Sequence, residues 1–162
     1  ITGNTFLRGV DHNILITDSE QICLGPNVFD DNPDYGGDTL GGIYLENSRN
    51  CTIQGVVMSN PRGGEPARGG SIEAVNCSGL NITGCTLVDP HLRGVWLENV
   101  RDSRVSDCIC LETGPARMLA AIVETGHSDR NIIMGNRVKR GRDGDISTVG
   151  KETLVVSNLS SQ

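Results

Sequence analysis

Six stretches of this chain repeat one short apolar–polar frame, and no other feature constrains the fold as strongly. The copies read Ile14-Leu-Ile-Thr-Asp-Ser, Ile43-Tyr-Leu-Glu-Asn-Ser, Ile72-Glu-Ala-Val-Asn-Cys, Val95-Trp-Leu-Glu-Asn-Val and Ala121-Ile-Val-Glu-Thr-Gly, with a weaker one from Ile146. Their third residues (Ile16, Leu45, Ala74, Leu97, Val123 and Thr148) are separated by 29, 29, 23, 26 and 25 positions. Eight residues after Leu45, Ala74, Leu97 and Thr148 stand Ile53, Ile82, Val105 and Val156. A short unit follows: Gly55-Val-Val-Met, Gly84-Cys-Thr-Leu, Asp107-Cys-Ile-Cys and Gly135-Asn-Arg-Val.

Apolar residues alternate with polar ones, which is the period of a strand, and no ten-residue stretch keeps helical spacing. One copy holds three short strands and three turns, too little to bury an apolar face alone. Copies stacked in register bury one column, with hydrogen bonds between rungs about 4.8 Å apart. The prediction is an all-β, single-domain right-handed parallel β-helix solenoid of about six rungs over residues 1–162. Here the chain resembles the right-handed β-helix (pectate-lyase-like) superfamily along nearly its whole length. A leucine-rich repeat is excluded, because its L-x-x-L-x-L-x-x-N pattern and helical half are missing.

Composition agrees. Glycine contributes 21 of 162 residues and Asn thirteen, whereas Ala (five) and Lys (two) are too scarce for a helical bundle. The formal net charge of −6 argues against a general nucleic-acid binder. No apolar run has transmembrane length, so no membrane partner is expected. The chain opens at Ile1 without Met or a signal peptide and reads as a processed chain or an excerpt.

Turn chemistry supports the register. Asp18, Asn47, Asn76 and Asn99 fall at one turn, and Asn4, Asn136 and Asn158 at another, where short amides bond backbone and tolerate left-handed φ. Cys85 and Cys108 occupy equivalent positions on consecutive rungs, which suits buried thiols and leaves an inter-rung disulfide open. No C-x-x-C pair marks a zinc site.

Alternation turns two rows outward: Leu15, Tyr44, Glu73, Trp96, Ile122, Ser147, and beside it Thr17, Glu46, Val75, Glu98, Glu124, Val149. Tyr44 and Trp96 among Glu46, Glu73 and Glu98 make an exposed strip suited to a sugar chain, whose faces stack on rings while its hydroxyls take hydrogen bonds. The resemblance implies that this face lines a polysaccharide groove. Rung spacing and residue rise place Glu73 about 8 Å from Glu46 and from Glu98, within the roughly 6.5–9.5 Å of inverting glycosidases. The Asp pair of the similar polygalacturonases is absent.

The variable loops carry eight of the fourteen basic residues, among them Arg62 and Arg68 as candidate ligands for uronate carboxylates. The acidic segment from Asp30 through Asp31 and Asp34 to Asp38 offers hard oxygen ligands for Ca²⁺. Resemblance to polysaccharide lyases implies an Arg or Lys base with calcium. Asp89-Pro90-His91 is similar to the Asp-Pro-His segment of mannuronan C5-epimerases, although Leu92 stands where that family has an acidic residue. The likeness implies Asp89 and His91 in a catalytic centre, with Arg93 neutralising a uronate; a histidine suits proton exchange near neutrality. His12 and His127 have no convincing partner in the sequence.

The expectation is a carbohydrate-active protein that binds or acts on an acidic polysaccharide, as a lyase or epimerase, at the cell surface or outside the cell. The alternative is a non-catalytic structural or adhesive segment, such as part of a phage tail spike, with a trimer distinguishing it from a monomeric enzyme.

Overall fold

The computed structural model describes residues 1–7, 12–30, 42–60, 62 and 64–161. Among these no residue is helical, and no helix is long and apolar enough to cross a membrane. Short strands build three parallel sheets, of six, six and seven strands, each ordered by successive turns of the chain. The first sheet holds Ile14–Thr17, Ile43–Glu46, Ile72–Val75, Arg93–Glu98, Ala120–Thr125 and Ile146–Ser147. The predicted solenoid is therefore the fold.

Side chains of one type stack in columns because every rung repeats the same frame. Ile14, Ile43, Ile72, Val95, Ile122 and Ile146 form one ladder, and Leu24, Ile53, Ile82, Val105 and Ile133 another. In the third sheet Phe6 stacks on Phe29, ring centroids 4.8 Å apart, above Met58, Leu87, Cys110 and Val138. Leu45, Ile43, Ile72, Leu87 and Leu97 are fully buried, and each such side chain stabilises the fold by about 1.5–3 kcal/mol.

The turns divide their work. Asp18, Asn47, Asn76 and Asn99 take left-handed φ of 48°, 50°, 53° and 55°. Asn47 Nδ2 donates to Asp18 Oδ1 at 3.2 Å and Asn99 Nδ2 to Asn76 Oδ1 at 3.0 Å. The second asparagine set behaves differently from its predicted role. There the preceding residue is left-handed (Gly3, Gly135 and Ser157), and the amide bonds a neighbouring rung. Asn136 Nδ2 donates to Val105 O and to Asn158 Oδ1, both at 3.0 Å. Asn27, which periodicity had not assigned to the ladder, pairs in the same way with Asn4.

One stretch of register departs from the sequence reading. The fifth copy starts at Ile122, so that Val95 pairs with Ile122, Trp96 with Val123 and Leu97 with Glu124. Ile122 and Glu124 consequently face inward, and Val123 and Thr125 continue the outer rows. Four apolar residues in succession, Ala120 to Val123, carry no alternation to set the register. The last rung shifts likewise: Val155, rather than Val156, opposes Ile133.

All six cysteines are free thiols, and only Cys23 is exposed. Cys108 Sγ donates to Ser106 O at 3.2 Å, and its nearness to Cys85 lowers the Cys85 pKa against the opposing effect of burial. The Cys108 thiol is held above its ordinary value by the neighbouring Cys85 and by burial. Burial, with Glu112 nearby, pushes Cys110 up to about 12.

Candidate functional site

The outer face of the first sheet brings together the aromatic and acidic residues of the sequence reading. Tyr44, Glu73 and Trp96 are neighbours in one row, and Glu46, Val75 and Glu98 in the next. Tyr44, Glu46 and Glu98 are half-buried. Glu73 and Trp96 are only 5% and 7% exposed, so the strip is not open along its length as predicted. The segment 64–70 folds down as a strap against Glu73, and the Arg93 guanidinium lies over Trp96.

Arg93 holds that strap. It stands three residues before Trp96 in the same strand, and burial pushes its pKa down, partly offset by Asp143. Nη1 donates to Glu65 O at 3.1 Å and Gly69 O at 3.3 Å, and Nη2 donates to Pro66 O at 2.9 Å. The guanidinium also lies 4.9 Å from the centroid of the Trp96 ring, a desolvated cation–π contact. Glu65 and Arg68 close the strap with reciprocal backbone bonds of 2.7 and 3.2 Å. Gly69, at φ 83°, lies so close to the sheet that a Cβ would stand 2.6 Å from Glu73 Oε2.

Arg68 reaches back from the strap to Glu73, Nη2 to Oε1 at 3.2 Å. That bond raises its pKa against the effect of its own desolvation. Tyr44 is raised by burial and by Glu46 and Glu73, with Arg68 opposing, so its phenol stays protonated near neutral pH. His12 packs on Tyr44 with centroids 4.9 Å apart, and Trp96 Nε1 donates to Glu98 Oε2 at 3.3 Å. The result is a compact patch of two aromatic rings and three glutamates, with one guanidinium from the strap.

The other predicted residues do not converge on it in the predicted way. Asp89, at φ 52°, points to the following rung. It accepts Thr113 N at 2.5 Å, Thr113 Oγ1 at 2.6 Å and Gly114 N at 2.9 Å. Burial alone would raise its pKa, but these bonds and Arg117 lower it. Arg93 reaches the opposite way, to a loop one rung back. Thus Asp89 and Arg93 each fasten a loop, on opposite sides of the half-buried His91. Arg62 is half-buried. Asp30 ends an exposed strand position, while Asp31 and Asp34 lie outside the described residues. No cluster of potential metal ligands occurs among the described residues.

Two further carboxylates are buried, Glu112, which the sequence reading did not single out, and Glu124, which it placed on the outer row. Glu112 accepts the backbone N–H of Arg117 and of Met118 and so shapes the loop before the fifth rung. Glu124, 1% exposed, sits where other rungs place Leu or Ala. The available signal was a glutamate on an otherwise apolar frame position. His127 and Arg101 line a separate open trough of about 550 Å³, where Arg130 pairs with Asp102 at 2.7 Å.

Comparison with known proteins places these features in a family. A crystal structure from Parabacteroides merdae ATCC 43184, provisionally named a glycosyl hydrolase, superposes with a TM-score of 0.59 at 12% identity. The match covers 98% of this chain and 78% of that one; at such identity the likeness is one of fold. No curated protein matches the chain. The family model described as "Right handed beta helix region" matches residues 37–160. The stacked parallel sheets and this match together make the chain a member of the right-handed β-helix family.

Proposed function

We propose that the protein is a carbohydrate-active β-helix that receives a polysaccharide along the Tyr44–Glu73–Trp96 face, with Glu46, Glu73 and Glu98 as its working carboxylates. The observation that carries this reading is the placement of two rings and three glutamates on consecutive rungs of one sheet face. Sugar rings stack on aromatic faces, and carboxylates accept from their hydroxyls.

Hydrolysis is favoured over elimination. The basic and acidic groups of the predicted lyase or epimerase centre, Arg93 and Asp89, are engaged with loop backbone. What remains on the face are glutamates, one of them paired with Arg68. The register keeps Glu73 one strand and two residues from both Glu46 and Glu98, about 8 Å by strand geometry, which fits an inverting pair. Three carboxylates also repel a polyuronate, so a neutral chain is the preferred substrate. A second reading keeps the acidic polysaccharide, with Arg68 as its carboxylate ligand. It draws on the half-exposed Arg68 side chain beside Tyr44.

The test is incubation with panels of neutral and acidic polysaccharides, reading both reducing ends and unsaturated uronate. New reducing ends that disappear in Glu73→Gln support hydrolysis at this face. Unsaturated product, lost in Arg68→Ala, selects the second reading. Absence of both products, with no glycan retained in affinity electrophoresis, would sink the carbohydrate assignment.

A further inference from the structure

We infer that Arg93 is a positioning residue that latches the 64–70 strap over Trp96 and Glu73, so that the strap must lift before a glycan can stack on the tryptophan. This rests on the site proposed above, and it concerns what controls access to that site.

The geometry has three independent parts. First, the three strap carbonyls bonded by Arg93 belong to Glu65, Pro66 and Gly69, both ends of the strap. A buried guanidinium with these acceptors is a strong, charge-assisted anchor. Second, Trp96 is 7% exposed beneath that anchor. A ring so covered offers no face to a sugar while the strap is down. Third, among the described residues the strap's other side-chain bond to the sheet is that of Arg68 to Glu73. Arg68, itself largely exposed, makes one 3.2 Å bond to the buried Glu73, against three from the buried Arg93. Gly64 and Gly69, with φ of 95° and 83°, are the residues whose backbone can absorb a change of strap position.

Latching carries a cost in affinity. When only a fraction of molecules has the strap raised, apparent affinity falls by that fraction. Weakening the latch should therefore tighten binding of any glycan that stacks on Trp96. Lysine at position 93 keeps the charge but not the fork, so it should behave as an intermediate.

Trp96 is the single tryptophan of the chain, so its fluorescence reports the strap directly. Acrylamide quenching is measured for the full chain, Arg93→Lys and Arg93→Met, with circular dichroism as the folding control, alongside affinity for the best glycan of the panel. The expected result is quenching that rises in the order Arg, Lys, Met, and affinity about ten-fold tighter in Arg93→Met. Unchanged quenching in Arg93→Met would overturn the latch. Increased quenching with unchanged glycan affinity would overturn the gating of Trp96. Increased quenching with no glycan bound by any variant would support the latch and refute the carbohydrate reading. If Arg93→Met fails to fold, Gly69→Ala provides the second variant. Its Cβ meets Glu73 Oε2 and must lift the strap from that side; unchanged quenching there overturns the inference.

Discussion

Replacing Glu124 with alanine should loosen the C-terminal rung. Its Oε1 accepts Asn131 Nδ2 at 2.6 Å and Thr153 Oγ1 at 2.9 Å, and its Oε2 accepts Gly150 N at 3.0 Å and Val149 N at 3.1 Å. Not all four donors are stranded by the truncation. Asn131 keeps its bond to Val100 O at 2.9 Å, and the exposed Val149 can turn to water. Each buried donor left unmade costs about 1–3 kcal/mol, so the total comes to roughly 3 kcal/mol. For a chain of this size that is about 6–12 °C in Tm. Because each rung of a solenoid leans only on its neighbours, the loss should concentrate in the last rung. Hydrogen exchange should rise in peptides spanning Ile146–Ser147 and Leu154–Val156, and remain unchanged around Ile43–Glu46. Glu124→Leu restores the apolar character of the ladder yet removes the acceptors. It should fall between alanine and wild type. A Tm within about 2 °C of wild type, with unaltered exchange in the last rung, would refute the argument that this carboxylate caps the solenoid from inside.

The remaining predictions follow from local geometry. Gly94→Ala should be strongly destabilising in thermal melts, because its Cβ would lie 2.5 Å from Cys110 Sγ and 2.7 Å from Ala121 O, in a strand pair that cannot separate. The depressed folded pKa of Asp89 means its contribution is present above the ordinary aspartate value and lost as pH falls below it. The amide shifts of Thr113 and Gly114 should therefore titrate with a midpoint below that of a free aspartate, and Asp89→Asn should abolish the titration. In native protein near neutral pH, a thiol reagent should label Cys23 rapidly and leave the buried cysteines unreacted, as counted by mass spectrometry before and after denaturation.

How far the sequence could be read depended on alternation. From Ile14 to Glu98 the four copies align on one frame, although Ile14-Leu15-Ile16 and Val95-Trp96-Leu97 are wholly apolar, and the facing of Tyr44, Glu73 and Trp96 follows from that alignment. At Ala120–Val123 alternation stops, and the reading slipped by one residue, turning Glu124 outward and Ile122 with it. The candidate site was legible to the same extent. Row membership came from period two, but the burial of Trp96 and Glu73 did not, since the strap that packs against Glu73 and binds the Arg93 guanidinium over Trp96 is a variable loop without periodicity.

The sequence by itself determined the solenoid, because a repeated frame of short strands has only its own copies against which to bury an apolar face. It determined also which residues share a row, because side chains alternate in a strand. Tertiary structure alone decided which polar groups could be buried. Glu124 meets its donors 7 to 29 residues away, Arg93 its carbonyls 24 to 28 residues away, and Asp89 its amides on the next rung. A buried charge is tolerated only where such partners arrive together, and their arrival depends on how loops of unequal length fold back over the rungs.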